Sequence, residues 1–411
     1  MFTTKLNKIS ILAMVTTGII AGCIFNNPIT NEYKGVSISQ DHSMIRICDT
    51  VEIYKEDNAL LVKAAASHGS IVDSFSYSIT NIARILPVTV GVLTLQANDI
   101  VIQGKNAVIA SNYGGDIFAG ALQVVDISSR SEPVIIEEWK FESIDINAVH
   151  LEGNTIIFGG AANPDVWGFK SCIGRVNLGE KNPESIVTSL VALPSHAVTG
   201  ITHAGNRYYV SVGAENGKVV ALDNDLNTVD TIDMADPRDV DAFASGICVL
   251  SGITDGGTTN GTVTTFTNDL VQTKKTDVGD FGSDYHKATI EMFSGQSALL
   301  GLSEAGAMVL DLAGPTVLFQ KDNPSVISTL KPNTNSVSSD ANLLFTANGN
   351  YGFRVFKIEG ANFANTKLIG YVPFEGLTTD GINYSANHVE YKANYLFVAS
   401  GVGGINVYVI E

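Results

Sequence analysis

An internal repeat constrains the fold of this chain more than any other feature of its sequence. From about Asn98 onward, short runs of alternating or wholly apolar residues recur between turns rich in Gly, Asn and Asp, and almost no segment shows a long helical period. One apolar strand centre occurs seven times, at Ile109, Phe158, Val210, Val249, Leu300, Phe345 and Phe397. The steps between these centres are 49, 52, 39, 51, 45 and 52 residues. The pattern predicts an all-β chain built from seven copies of one unit.

The length of the unit indicates how the copies assemble. Units of about 40 to 50 residues, each with four short strands, are typical of β-propellers. One such unit cannot bury both faces of its sheet, so neighbouring units must stack and the ring must close. The predicted turns between first and second strands agree, because they hold the Gly or Asn that tight hairpins need, at Gly104, Gly153, Gly205 and Asn394. We therefore predict a single seven-bladed β-propeller over residues 83–411.

Closure of the ring requires a strand from outside the repeats. The seventh unit reaches Glu411 after its third strand, so its fourth strand must come from elsewhere. Ala83–Leu95 is strand-like and precedes the first unit, and we expect it to form the outer strand of blade 7, which leaves no exposed sheet edge at the joint. Residues 23–82 are expected to be a spacer and N-terminal extension, in which Glu52–Ala66 could form an amphipathic helix or a hairpin.

The predicted third strands share a glycine followed by an apolar strand. The clearest copy is Gly120–Pro133, and the same frame recurs at Gly217–Leu222, Gly306–Leu312, Gly352–Ile358 and Gly404–Ile410. On these residues the chain from Asp99 to Glu411 resembles the LVIVD-repeat β-propellers, whose unit runs glycine, apolar-x-apolar-apolar-Asp and a short Ser/Pro turn. Outside Gly120–Pro133 the aspartate and the proline are mostly missing. The resemblance implies a propeller of the cell surface and no particular chemistry.

The first residues have the layout of a signal peptide. Lys5 and Lys8 precede an apolar stretch from Ile9 to Ile20, and no acidic residue occurs before Cys23. The apolar stretch is shorter than the roughly 20 residues that a membrane-spanning helix needs. We therefore expect residues 1–22 to be removed during export.

The end of this signal indicates a lipid anchor. Ile20-Ala21-Gly22-Cys23 resembles the lipobox of bacterial lipoproteins, which implies that Cys23 carries lipid and that the protein is tethered to a membrane without spanning it. The alternative is a plain secretory signal in which Cys23 is an ordinary cysteine. Ile24 stands where an aspartate tends to retain lipoproteins at the inner membrane, so the sequence favours the outer membrane of the cell envelope.

Charge and cysteine content exclude several classes of partner and fold. The formal net charge is −17, and without Lys5 and Lys8 it would be −19. Nucleic acids and anionic lipids are recognised through basic surfaces, so we expect no nucleic-acid partner. We expect the protein to contact the membrane through its lipid anchor only. Besides Cys23 the chain has Cys48, Cys172 and Cys248, too few for a disulfide framework. We expect Cys172 and Cys248 to stay unbonded, because they belong to blades 2 and 4.

A ligand site is predicted on the loops that join second and third strands. These loops share one face of a propeller with the entries to the innermost strands, and the longest are Asn112–Ala119 in blade 1, Gly160–Lys170 in blade 2 and Ile253–Asn260 in blade 4. Aromatic rings beside carboxylates suit sugars, peptides or cationic groups. We predict one off-axis patch formed by Tyr113, Asp116, Trp167, Phe169 and Asp255. The alternative is that the rings cover the apolar surface of their own loops.

A second set of polar residues lies on or near the predicted innermost strands. It comprises His196, His203, His286, His388, Asp239, Asp241, Asp284 and Glu390. Such groups from different blades could converge on a metal at the axis, or could fill a wet channel as hydrogen-bonded polar groups. Asp223, Asp225 and Asn227 begin like a calcium loop, but Thr228 replaces the required glycine, so we predict a hairpin there.

These observations favour a binding protein over an enzyme. The common hydrolase, zinc and nucleotide motifs are absent, so we predict no catalytic residues and no cofactor. The leading hypothesis is a surface-tethered propeller that binds or scaffolds an extracellular protein or glycan. The alternatives are an exported hydrolase or lyase with a metal or carboxylate site at the channel mouth, and a subunit of an outer-membrane assembly.

Overall fold

The repeats, together with Ile79–Ile85, form the seven four-stranded antiparallel blades of one β-propeller, as predicted, and further N-terminal strands extend the sheets of blades 1 and 7. A computed structural model describes residues 31–33, 36–39, 45–51, 79–129, 132–213, 216–255, 258–282, 287–323, 332–359, 363–374, 377–379 and 381–410. Only the backbone is described for residues 31–33, 36–39, 45–51, 253–255, 258, 259 and 294.

Each blade runs in sequence order from the axis to the rim, and blade 7 takes its outermost strand from the N-terminal side of the ring. Blade 1 consists of Gln96–Gln103, Asn106–Asn112, Gly120–Asp126 and Val134–Phe141. Blade 2 consists of Ile144–Glu152, Thr155–Ala162, Ser171–Asn177 and Val191–Leu193. Blade 3 consists of Ala197–Ala204, Arg207–Gly213, Lys218–Leu222 and Thr228–Asp233. Blade 4 consists of Pro237–Phe243, Gly246–Asp255, Thr258–Thr267 and Gln272–Asp280. Blade 5 consists of Thr289–Ser294, Ser297–Gly301, Ala307–Asp311 and Thr316–Lys321. Blade 6 consists of Ser336–Asp340, Leu343–Ala347, Phe353–Lys357 and Lys367–Val372. Blade 7 consists of His388–Lys392, Tyr395–Ala399, Ile405–Ile410 and Ile79–Ile85.

Burial follows the position of a strand within its blade. Second and third strands pack against blades on both sides, so their residues are buried almost without interruption, as in Gly120–Asp126. The outermost strand Thr228–Asp233 is almost wholly exposed. The predicted turns are present, with positive φ values of 60°, 59° and 67° at Gly104, Gly153 and Gly205.

The closing strand has the predicted role but different bounds. Ile79–Ile85 pairs antiparallel with Ile405–Ile410, so the segment that precedes blade 1 and the segment that ends the last repeat meet in blade 7. The strand ends at Ile85 and not at Leu95, because Pro87 has no N–H to donate to a ladder. Beyond it, Thr89–Val90 and Leu93–Thr94 form a small hairpin.

Further N-terminal strands cover the rims of the two blades at the joint. Val36–Ser39 pairs with Val134–Phe141 of blade 1, and Asn31–Tyr33 pairs with Val36–Ser39. Ile45–Val51 pairs with Ile79–Ile85 of blade 7. Cys23 and the segment Glu52–Ala66 lie outside the described residues.

The core lies between adjacent blades. Phe141 of blade 1 and Phe158 of blade 2 are fully buried, and their ring centroids are 5.3 Å apart. Cys172 and Cys248 are buried and free, which confirms the prediction that they are not bonded to each other. The described helices are short, at Pro164–Trp167, Pro183–Thr188 and the 3₁₀ turn Phe363–Asn365, and none in the described part of the chain could span a membrane.

Candidate functional site

The loop of blade 1 is held in place by a carboxylate of blade 2. Asp145, at the start of the innermost strand of blade 2, accepts hydrogen bonds at Oδ1 from the backbone N–H of Ala119 at 3.1 Å and of Tyr113 at 3.4 Å. The loop also closes on itself, because Tyr113 N donates to Ala119 O at 2.8 Å. Burial raises the pKa of Asp145 to about 6, although the two backbone donors oppose this shift.

The loop of blade 2 contains the short helix Pro164–Trp167. Asn163 caps it by accepting a 3.0 Å hydrogen bond from Asp165 N. Trp167 Nε1 donates to Ser143 Oγ at 2.9 Å, and the rings of Trp167 and Phe169 lie 6.0 Å apart. Both rings are partly buried against the core between blades 1 and 2, and each keeps part of its surface exposed. Ligand binding by Trp167 and Phe169 therefore stays a prediction.

Apolar side chains are exposed on this same face. Ile117 in the blade 1 loop is 49% exposed, Val166 in the blade 2 loop is 59% exposed, and Val92 in the connection entering blade 1 is 97% exposed. Asp116, beside Ile117, is exposed too. The connection and the blade 1 loop belong to one unit, because Leu93 and Tyr113 pack against the same small apolar cluster.

Blade 4 differs from the prediction. The segment Ile253–Asn260, expected to be a loop, is mostly strand, because Ile253 pairs with Asn260 and Asp255 pairs with Thr258. Thr258 and Thr259 are β-branched, which suits continued strand pairing. Asp255 therefore ends a long strand, and blade 3 lies between its blade and the loops that carry Tyr113 and Trp167.

The innermost strands line an axial channel with two tiers of side chains. In the strand registers the upper tier, nearer the loop face, is Asp99, Ala148, Gly200, Asp239, Thr289, Ser336 and His388. The lower tier is Val101, His150, Thr202, Asp241, Glu291, Ser338 and Glu390. Gly200 makes room for the carboxylate of blade 4, because a Cβ there would lie 2.1 Å from Asp239 Oδ1.

Most channel carboxylates are tied to the backbone of the next blade. Asp239 Oδ2 accepts from Ile290 N at 3.0 Å, and Asp241 Oδ2 accepts from Met292 N at 2.7 Å. Glu291 Oε1 accepts from the backbone N–H of Ser339 at 2.9 Å and from its hydroxyl at 2.6 Å. These bonds run around the ring, so the groups link blades as well as line the channel.

Burial in the channel shifts several acid groups towards their neutral forms. It raises the pKa of Asp239 to about 8 against the backbone donors Ile290 and Val240, and that of Glu291 to about 8 against the hydrogen bonds from Ser339. Burial also raises the pKa of Glu390 well above its usual range, with the nearby charge of Glu291 adding to the effect. The channel therefore favours protons on these groups at neutral pH.

The predicted axial residues separate into three groups. His388, Asp239, Asp241 and Glu390 line the channel. His203 lies away from it, where its Nδ1 is 3.5 Å from Glu152 Oε1, and His196 is exposed. Asp284 and His286 lie outside the described residues. Among the residues that the structure describes, no three His, Cys, Asp or Glu side chains are placed to hold a metal ion.

The calcium-like segment is a turn, as predicted. Asp223 Oδ1 accepts from Asp225 N at 2.9 Å and from Asn227 N at 2.8 Å, which closes the connection between the third and fourth strands of blade 3.

Sequence reasoning missed Asp99, Glu291, Lys287 and His150, which also line the channel. The repeat itself held a signal for the first of these. Asp99 and Asp239 occupy the same position of the innermost strand in blades 1 and 4, because each stands two residues after the start of the strand's bulge, at Ala97 and Pro237.

Comparison with solved structures shows WD40-type propellers. The structure of U3-55K has a TM-score of 0.55 at 12% identity, covering 77% of this chain and 95% of that one. The RRP9 WD40 repeats have a TM-score of 0.56 at 11% identity, with coverage of 77% and 95%. The WD40 propeller domain of Doa1 has a TM-score of 0.52 at 11% identity, with coverage of 77% and 97%. At such identities the likeness shows the fold alone. No family model and no curated protein matches the sequence.

Proposed function

We propose that the protein is a lipid-anchored propeller of the bacterial cell envelope, at the outer membrane, that binds an extracellular partner through the loops of blades 1 and 2. The fold is one commonly used for binding and scaffolding. The signal layout, the lipobox at Cys23 and the resemblance of Gly120–Pro133 to LVIVD repeats support the location.

The observation that carries the proposal is the exposure of Val92, Ile117 and Val166 on neighbouring connections of one face. Single exposed aliphatic residues are ordinary, but several on adjacent segments of one face are typical of interaction surfaces. Asp145 and the Trp167–Ser143 hydrogen bond hold the two loops on the rigid ring, so little order has to be gained on binding. Aliphatic exposure favours a protein partner, and Tyr113, Trp167 and Phe169 leave a glycan as the second candidate.

The test is a surface pull-down and a glycan array with the mature chain, followed by affinity measurements on single variants. Tyr113→Ala and Trp167→Ala should each weaken binding of the identified ligand by about 1 to 3 kcal/mol, the size expected for an aromatic anchor. Val166→Ser should weaken binding of a protein partner as well.

The matched control is Val271→Ser. Val271 is 61% exposed, close to the 59% of Val166, but it lies at the turn between third and fourth strands, on the opposite face. Unchanged affinity in the three loop variants, with the fold intact, would refute the proposed face. The hydrolase or lyase alternative and the assembly-subunit alternative stay predictions.

A further inference from the structure

A buried arginine joins blades 5 and 6. Arg354 is the second residue of Phe353–Lys357, the third strand of blade 6, and it is 4% exposed. Its Nη1 donates to the backbone O of Asp322, in the connection from blade 5 to blade 6, at 2.8 Å. Its Nε donates to Asn348 Oδ1 at 3.1 Å, and its Cζ lies 5.2 Å from the centroid of the Phe356 ring. The guanidinium is therefore held at the interface between the two blades.

One nitrogen of this guanidinium lacks the partner that a buried donor normally has. Arg354 Nη2 is buried and has no hydrogen-bond partner among the described residues. The other two nitrogens donate to neutral acceptors, a backbone carbonyl and a side-chain amide oxygen. Unsatisfied buried donors are uncommon in folded proteins, so this one indicates a partner that the described side chains do not supply.

The charge of Arg354 is not paired either. In the described part of the chain no carboxylate lies within ion-pair distance of it. The charge of Asp322 acts on it from farther away, and Asp322 is exposed to solvent. Residues 324–331 of the same connection lie outside the described residues, and their sequence contains no Asp or Glu. Burial lowers the pKa of Arg354 to about 10, so the guanidinium is still charged at neutral pH, where a buried charge normally requires a counter-charge.

A second cationic group lies close enough to add to this positive charge. Lys321 is half-buried on the outermost strand of blade 5. Burial lowers the pKa of Lys321, and the charge of Arg354 lowers it further. The two like charges repel each other across the interface, and a negative charge beside Arg354 would offset this repulsion.

The neighbouring polar side chains are committed to one another. Asn348 Oδ1 also accepts from Thr346 Oγ1 at 2.8 Å, and Asn348 Nδ2 donates to Thr334 Oγ1 at 2.9 Å. Thr334 Oγ1 in turn donates to Asn323 Oδ1 at 2.7 Å. This network fixes the orientation of the guanidinium, and none of these groups can turn towards Nη2 without losing a hydrogen bond of its own.

We propose that Arg354 binds a small monovalent inorganic anion, of the size of chloride, at Nη2 between blades 5 and 6. The guanidinium supplies a charge-assisted N–H donor, and Lys321 adds positive potential. Because Arg354 is 4% exposed, the site admits an ion of few atoms and excludes a macromolecule. A water molecule would accept the hydrogen bond but would leave the buried charge unpaired. The bound anion stabilises the contact between two adjacent blades.

Equilibrium urea unfolding of the mature protein tests the proposal, with sodium chloride replacing sodium gluconate at constant ionic strength. An anion that binds only the folded protein lowers the equilibrium constant of unfolding, which should fall about tenfold between about 5 and about 300 mM chloride. Arg354→Gln should abolish this dependence on chloride. Arg207→Gln is the matched control, because it removes an equal charge from the pair with Asp269 on the face opposite the loop face and should keep the dependence.

Crystals of the wild-type protein grown with bromide in place of chloride locate the ion. We expect an anomalous difference peak within hydrogen-bond distance of Arg354 Nη2. Unfolding that does not depend on chloride, or that keeps its dependence in Arg354→Gln, would overturn the proposal, as would crystals in which only water contacts Nη2. A bromide peak without chloride-dependent unfolding would show an adventitious ion only and would overturn it too. The wild-type readouts decide even if Arg354→Gln fails to fold, and they are independent of ligand binding by the loops of blades 1 and 2.

Discussion

Asp99 and His388 join the first and last blades of the ring, with Asp99 Oδ1 2.9 Å from His388 Nδ1. Asp99 Oδ2 also accepts from Val149 N of blade 2 at 3.0 Å, so one carboxylate connects three consecutive blades. Burial opposes its ionisation, but the charge and hydrogen bond of His388 and the charge of Lys287 outweigh burial and lower the pKa of Asp99. The joint of the propeller is therefore held by polar contacts at the axis as well as by strand pairing at the rim.

Replacing Asp99 should weaken this joint. Asp99→Ala leaves Val149 N–H without its acceptor and leaves His388 Nδ1 with only its 3.3 Å contact to Ser336 Oγ. An unsatisfied buried group costs about 1–3 kcal/mol. We expect the free energy of unfolding to fall by about 2–4 kcal/mol, measured by urea denaturation.

Lys105→Ala provides the comparison, because Lys105 pairs with Asp126 at 3.7 Å while its side chain is 68% exposed. Such surface pairs contribute about 0–1 kcal/mol, so Lys105→Ala should be close to neutral. Equal effects of the two substitutions would show that the axial contact does not stabilise the ring.

Removal of the closing strand should expose a sheet edge. A chain lacking residues 1–85 loses Ile79–Ile85, so Ile405–Ile410 becomes an unpaired edge, and we expect aggregation or misfolding in size-exclusion chromatography. A chain lacking residues 1–78 keeps this strand and should remain monomeric. A stable monomer from the longer deletion would contradict the role of the strand in closure.

Membrane attachment should depend on Cys23 alone among the cysteines. Cys23→Ala removes the site of lipid attachment, so the protein should move from the membrane fraction to the soluble fraction on cell fractionation. Cys48→Ala should leave the distribution unchanged. Mature Cys23→Ala protein that stays with the membranes would refute the lipid anchor.

The sequence predicted the ring better than it predicted the groups inside it. Apolar segments such as Thr155–Ala162 repeat because they pack on both faces, so their number and spacing were readable. The bounds of the closing strand could not be predicted in this way, because Pro87 ends its pairing in the middle of an apolar run. The channel was harder still, since Asp99 and His388 meet only when the ring closes.

A repeated polar signal at the blade interfaces was nevertheless present. Asn98, Asn147 and Asn387 stand at the entries of three innermost strands, and each side-chain amide donates to a carbonyl of the next blade, those of Ile146 at 3.2 Å, Val198 at 3.4 Å and Ala97 at 3.1 Å. Asn98 and Asn147 are separated by one repeat step, like the strand centres that follow them. A search for polar residues in phase with the apolar repeat would have identified these contacts.

The stability of the loop site should depend on pH through Asp145. Its pKa is raised to about 6 in the folded protein from the usual 3.8, so the folded state holds this proton more tightly than the unfolded chain does. The contribution of protonated Asp145 to the free energy of unfolding is therefore fully present below about pH 4 and is lost as the pH rises through about 6. Asp145→Asn keeps an oxygen that accepts from Ala119 N and removes the titrating charge. We expect it to leave stability at pH 4 nearly unchanged and to raise it by about 1–2 kcal/mol at pH 7.5, in urea unfolding at both values.

Hydrogen exchange at the amides of Tyr113 and Ala119 should report the same change locally, with slower exchange in Asp145→Asn than in the wild type at pH 7.5 once the intrinsic rates are corrected for pH. Asp165→Asn removes an exposed carboxylate from the neighbouring loop. Its stability relative to the wild type should be the same at both pH values. A stability difference between Asp145→Asn and the wild type that does not change between pH 4 and pH 7.5 would show that the carboxylate of Asp145 is not the titrating group, since only a raised pKa makes the difference grow with pH.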